Sequence, residues 1–203
     1  MLYLLVSVRE CTSTLSPINT NMYANNFPKK RYKLTLKFLR QHIAPTETIL
    51  DLGVENPFSE LLKTEGFRVK NTSGEDLDLD SSALETDKSD VVTAFEVFEH
   101  LLSPFTVLQN IQSKKLVASI PLRLWFASAY RSKTDPRDRH FHEFESWQFD
   151  WLLEKAGWKI IATKNGRILP IKLGSDLCSV GLRRGIILFM PKEFEILYCH
   201  TGP

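Results

Sequence analysis

Short apolar runs alternate with apolar stripes at helical spacing along most of this chain. Thr48 to Gly53, Phe67 to Thr72, Asp90 to Phe95, Lys115 to Ile120 and Trp158 to Lys164 read as strands. Several are continuously apolar, as strands covered on both faces are. Tyr32, Leu36, Leu39 and Ile43 recur at i, i+4, i+7 and i+11, which predicts a helix from Lys29 to His42. Asn56 and Pro57 supply an N-cap and a first helical position, Phe58, Leu61 and Leu62 an apolar face, and Gly66 the stop. Further helices are expected from Pro104 to about Gln112, and after Ser146 as cap, with Phe149, Leu152, Leu153 and Ala156 as stripe and Gly157 as end. Asn165-Gly166 reads as a turn, Gly181 to Met190 fits helix or strand, and Glu193 to Cys199 reads as a last, antiparallel strand. Such alternation predicts an α/β fold built on a doubly wound, mostly parallel sheet. Only 18 residues separate Asn71 from Asp90, too few for a helix and another strand, so one βα unit must be contracted.

Composition narrows this little. The 203 residues are 43% hydrophobic and 25% charged, values of an ordinary globular domain. Residues 22–203 are expected to form it, with 1–21 a poorly ordered extension and Met22 a second candidate start. Residues 1–8 are apolar but lack a basic flank and are followed by Arg9-Glu10, so neither signal peptide nor membrane span is expected. Cys11, Cys178 and Cys199 form no pattern, which fits a reducing, cytoplasmic setting. A net charge of +2 gives no reason to expect nucleic acid, and the basic residues Lys29, Lys30, Arg31, Lys33, Lys37 and Arg40 read as a solvated helix face.

Candidate chemistry gathers where the Asp90–Phe95 strand ends. Open α/β sheets bind ligands beyond the carboxyl ends of their strands. Glu96, Glu99 and His100 follow at once; coiled into a helical turn, they would share one face. Glu75, Asp76, Asp78 and Asp80 make the preceding loop acidic. Residues 122–144 break the alternation with Leu122, Leu124, Trp125, Phe126 and Tyr130, then mixed charges, then His140-Phe141-His142-Glu143-Phe144.

In this order the residues resemble the class I S-adenosylmethionine-dependent methyltransferases, small-molecule type, over roughly 29–163. Ile49 to Gly53 is similar to their first motif, and Asp90 to Leu101 to their second signature. His142-Glu143-Phe144 with Trp147, Phe149, Leu152-Leu153 and Ala156-Gly157-Trp158 is similar to a third. The resemblance implies a Rossmann-like sheet and S-adenosylmethionine as cofactor. It implies contacts from Asp51, Gly53, Glu55, Asn71, Glu75, Asp76, Phe95 and Glu96, with the methionine carboxylate at the Gly53 turn and the N-terminus of the following helix. The acceptor would be a small molecule methylated on oxygen or nitrogen, with residues 122–144 on its side of the pocket and His142 or His140 as base. Two glycines of the family loop are here Glu55 and Pro57, and the acid expected at the second strand is Asn71. These departures leave open a methyltransferase-like binding domain without catalysis. Glu96, Glu99 and His100 with His142, or with His140 in its place, are also similar to a pattern in Mg²⁺-dependent O-methyltransferases, which would add a divalent cation.

Overall fold

The computed structural model describes residues 29–123, 129, 132–168 and 192–201. The expected extension at 1–21, Leu124–Phe126, Tyr130 and the segment 181–190 lie outside them. The element order is α1 (Lys29–His42), β1 (Thr48–Asp51), α2 (Pro57–Thr64), β2 (Arg68–Asn71), α3 (Ser82–Thr86), β3 (Val91–Phe95), a 3₁₀ turn (Phe98–His100) and α4 (Pro104–Asn110). It continues with β4 (Lys115–Pro121), a 3₁₀ turn (Pro136–Asp138), α5 (Ser146–Lys155), β5 (Trp158–Ile168) and β6 (Lys192–Thr201).

One six-stranded sheet runs β2-β1-β3-β4-β6-β5. β1, β2, β3 and β4 pair in parallel, and β6 runs antiparallel between β4 and β5. This is the doubly wound, Rossmann-like arrangement expected from the alternation. The contraction is also present: a single short helix, α3, fills the space between β2 and β3, and β2 takes the place beside β1.

Both faces are covered. Adjacent strand residues point to opposite sides, so Ile49, Val91, Val117 and Ile196 join Tyr32, Phe38 and Leu39 of α1 and Phe58 and Leu62 of α2 in one core. Leu50, Val92, Leu116 and Leu197 join Leu84, Leu108, Phe149 and Leu153 in the other. Phe98 and Phe149 are both fully buried and their rings lie 5.5 Å apart, fixing the turn after β3 against α5. The Trp158 indole N–H donates to the Leu108 carbonyl at 3.1 Å, joining the start of β5 to α4.

Local chemistry explains most element ends. Asn56 Oδ1 accepts from the N–H groups of Phe58 and Ser59, as an N-cap does. At the other end of α2, Gly66 N–H donates to the Lys63 carbonyl and Phe67 N–H to the Leu62 carbonyl, a Schellman closure around Gly66 at φ +90°. Three expectations need correction. Glu145, not Ser146, precedes the first turn of α5, and its N–H donates to Gln148 Oε1 at 2.9 Å. α4 stops at Asn110 rather than Gln112. Asn165-Gly166 is no turn: β5 runs through it, held extended by pairing with Glu195 and Phe194 of β6.

Candidate functional site

β1 ends on Asp51, which is 2% exposed and gathers three donors. Thr93 Oγ1 of β3 donates to its Oδ1 at 2.7 Å, and Ser59 Oγ of α2 and Asn71 Nδ2 of β2 donate to its Oδ2 at 2.8 and 3.0 Å. Burial pushes the Asp51 carboxyl above its ordinary pKa, against these hydrogen bonds, which favour the anion. The Asp51 carbonyl accepts from Thr72 N–H, and Gly53, at φ +111°, donates its N–H to Thr72 Oγ1 at 2.8 Å. The turn is thereby sewn to the end of β2. Gly74 closes on it so tightly that a Cβ there would stand 2.5 Å from Val54 Cγ1.

Beyond this turn lies a cavity of about 200 Å³, partly open to solvent. Arg31, Tyr32 and Thr35 of α1 line one side, Asp51, Leu52, Asn56 and Phe58 another, and Phe95, Glu96 and Ser119 the strand ends. Tyr32 and Phe58 rings stand 4.6 Å apart, and Phe58 meets Phe95 edge-on at 5.2 Å. Glu96 takes the left-handed backbone region at φ +57°, unusual for a residue with a side chain. Its N–H donates to the Ser119 carbonyl at 2.9 Å, and its carboxylate accepts from Ser119 Oγ at 3.1 Å and pairs with Arg31 Nη1 at 2.7 Å. An anion and a cation thus face one another at the wall of an aromatic-lined pocket.

Of the eight residues expected to contact a cofactor, Asp51, Phe95 and Glu96 line this cavity. Gly53 forms the turn behind it. Glu55 points away and pairs with Lys63 of α2, an exposed contact, because the loop turns its side chain outward. Asn71 spends its amide N–H groups on Asp51, Gly53 O and Ser59, while its Oδ1 is buried without a partner. Asp76 caps its own turn by accepting from Asp78 N–H, and Glu75 keeps one buried carboxylate oxygen unpartnered. The anion site expected at the start of α2 is already filled. Pro57 has no N–H, Asn56 Oδ1 takes those of Phe58 and Ser59, and the Asn56 carbonyl takes that of Glu60.

Arg31 was expected on the solvated face of α1, and the structure turns it into the pocket. Tyr32 and Phe58, expected only as core, also line it. Ser119 carried a signal, being a hydroxyl inside an otherwise apolar strand.

The expected common face of Glu96, Glu99 and His100 does not form. Glu96 precedes the 3₁₀ turn and looks toward Arg31, whereas Glu99, 1% exposed, has Oε1 at 3.7 Å from His100 Nε2. The Glu99 carbonyl accepts the N–H groups of Phe141 and His142 at 2.8 and 3.2 Å, drawing the 139–142 segment to the end of β3. His140 stands edge-to-face to His100 at 4.8 Å, while His142 stacks on Phe144 with its Nε2 3.4 Å from the Leu102 carbonyl. Asp78 ties the acidic loop to the same place by accepting from Leu102 and Ser103 N–H at 2.7 and 2.8 Å.

Burial, and then the nearby charge of Glu96, hold the Glu99 carboxyl well above its ordinary pKa of 4.5. The folded chain therefore keeps a proton that the unfolded chain releases near pH 4.5. The contribution of Glu99 to stability falls as pH rises from there through its folded-state value. Urea midpoints measured against pH should show this decline as a difference between wild type and Glu99→Gln, which lacks it. An unchanged slope in the variant would contradict the assignment.

No curated protein matches the chain in sequence. Among solved structures, a candidate methyltransferase from Bacillus halodurans is 11% identical, with 83% of this chain and 99% of that one covered at a TM-score of 0.54. A SAM-dependent methyltransferase from Methanosarcina mazei is 9% identical, covering 81% and 96% at 0.51. A candidate methyltransferase in complex with the Haloferax volcanii Trm112 methyltransferase activator is 10% identical, covering 91% and 94% at 0.55. At these identities the likeness is one of fold. The family model described as "Methyltransferase domain" matches residues 23–163, most of the chain, and carries the sheet ends and the pocket just described. The chain belongs to the methyltransferase domain family.

Proposed function

We propose that the chain binds S-adenosylmethionine in the cavity between α1 and the ends of β1, β3 and β4, and transfers its methyl group to an oxygen or nitrogen of a small molecule. The observation that carries this reading is the Arg31–Glu96 pair. An α-amino acid presents a carboxylate and an ammonium on one carbon. A guanidinium facing a carboxylate 2.7 Å away is their complement, with Arg31 taking the carboxylate in fork geometry and Glu96 the ammonium. Arg31 supplies the positive charge that the capped start of α2 cannot. Tyr32, Phe58 and Phe95 offer aromatic faces to a sulfonium.

Bound in this way, the cofactor supplies a methyl group already activated for displacement. The chain's own work is positioning and the exclusion of water. The left-handed turn at Glu96 aims its carboxylate back over the pocket, and Ser119 holds it there. His142 would take the acceptor's proton, its segment anchored on the Glu99 carbonyl. The acidic run Glu75, Asp76, Asp78 and Asp80, tied to Leu102 and Ser103 through Asp78, disfavours a polyanionic acceptor and supports a small one.

Calorimetric titration of the purified chain with S-adenosylmethionine and S-adenosylhomocysteine should give micromolar binding. No heat and no thermal shift at millimolar ligand would overturn the reading. Among the described residues, no helix is long and apolar enough to cross a membrane.

A further inference from the structure

The sheet ends, on the side away from β2, in an open rim. β5 is the last strand there and is eleven residues long. Among the described residues it pairs with β6 alone, so its outer N–H and C=O groups face no other strand. Trp158 and Ile160 pack in the core beneath α5, and Ala162 packs in the core beneath α1. Ile160 lies opposite Cys199 and Ala162 opposite Tyr198, which leaves Ile161 bulged and 52% exposed. Lys159 alternates with Trp158 and Ile160, and Lys164 lies opposite Ile196 of the α1-side core, so both lysines stand on the α1 side. Neither β5 nor α1 contains an acid. On α1, Lys30, Lys33 and Lys37 are exposed and carry no ion pair among the described residues. The α5 side is aromatic instead. There Phe149 and Leu153 sink into the core, while Trp147 and Trp151 stand 47% and 64% exposed with their rings edge-to-face at 4.8 Å. Trp147 Nε1 donates to Glu145 Oε2 at 2.9 Å, which fixes its ring in advance of any contact. Tryptophan is enriched among the residues that anchor protein partners.

We propose that β5 takes an added strand from a partner protein, an extended segment in which acidic and apolar residues alternate. Main-chain pairing along the rim supplies the affinity, and the alternate side chains supply the choice of partner. Successive residues of a strand point to opposite faces. Every second residue of such a segment meets the lysines of the α1 side, and the residues between them meet the α5 side, which carries the indoles. Acids on the first face and apolar groups on the second are the complement of what the rim presents. A second copy of this chain is the wrong occupant. β5 laid against its own copy brings cations to the join and no acid to meet them. Trp147, Trp151, Lys159 and Lys164 do not line the cavity between α1 and the strand ends, so this inference does not rest on cofactor binding.

The test uses the full-length chain and a fluorescein-labelled peptide of alternating glutamate and leucine, as long as β5. Fluorescence anisotropy should give micromolar binding that weakens as salt is raised. Trp151→Ala, and Lys159→Glu combined with Lys164→Glu, change exposed positions and should fold by circular dichroism, yet each should lose affinity by at least ~10-fold. A lysine–leucine peptide should not bind. Nor should the acidic peptide N-methylated at alternate amides, which has lost the donors that a ladder needs. Absence of binding by the acidic peptide, equal binding by either control peptide, or wild-type affinity in both variants would overturn the proposal. So would a dimer of the free chain that dissociates in Trp151→Ala, which would give the rim to a second copy.

Discussion

Replacing Asp51 by alanine is expected to destabilise the chain by about 4 kcal/mol, within the range found when one partner is removed from a buried charged network. The reason lies in what surrounds it. Thr93 Oγ1, Ser59 Oγ and Asn71 Nδ2 converge on this one carboxylate from β3, α2 and β2, on a residue only 2% exposed. Truncation leaves the Thr93 and Ser59 hydroxyls without an acceptor, while Asn71 keeps the Gly53 carbonyl and Ser59 Oγ; each orphaned group costs roughly 1–3 kcal/mol, partly recovered as hydroxyls rotate to other acceptors. Domains of this size have about 5–15 kcal/mol in total, so a large share of the stability is at stake. Asp51→Asn should cost about half as much, since it keeps one acceptor oxygen but sets one amide against that of Asn71. Denaturant midpoints of the three proteins decide the matter. An alanine variant within about 1 kcal/mol of wild type would show that the network is ornamental. The same geometry predicts that Asn71→Asp would set two carboxylates against each other and weaken the fold.

What could be read from the residues alone follows from the range of the forces involved. α1 came out end to end because its stripe at Tyr32, Leu36, Leu39 and Ile43 is a local periodicity that tertiary packing only reinforces. The cap at Asn56 and the stop at Gly66 are equally local. β5 was cut short because Asn165-Gly166 has strong turn chemistry, and the force that overrides it comes from β6, about thirty residues further along the chain. The strand ends that carry the site were legible for the same reason as the helices. The direction of each side chain was not. A helical turn through Glu96 would have put it beside His100, but the backbone turns left-handed there to reach the Ser119 carbonyl, and the carboxylate swings the other way. Asn71 looked available to a ligand because nothing near it in sequence shows that Asp51 and Ser59 already hold it. His140 and His142 are two residues apart and of the same type. Only the fold shows that one faces His100 and the other Phe144.

Arg31→Ala should weaken S-adenosylmethionine binding by about 10- to 100-fold while leaving the fold intact. On the bare helix Arg31 is one of several cations beside an apolar stripe, and long cationic side chains there are ordinarily solvated. Its partner, Glu96, lies on the far side of the pocket mouth and far along the chain, so only the fold reveals the pair. With side chains 24% and 22% exposed, the pair itself contributes little to stability, of the order of 0–1 kcal/mol, so the unfolding midpoint should barely move. A charge-assisted hydrogen bond to a ligand carboxylate is worth roughly 1.5–3 kcal/mol, which converts to one or two decades of affinity. Arg31→Lys keeps the charge but not the fork, and should recover only part of the loss. Arg40→Ala removes a cation from the same helix, one paired with Glu65 outside the lining of this pocket, and should bind as wild type. If Arg31→Ala also bound as wild type, the ion pair would be a strap between α1 and β3, and the carboxylate would have to be held elsewhere. A loss confined to Arg31→Ala would place the amino-acid end of the cofactor against α1, at the one cation the helix turns inward.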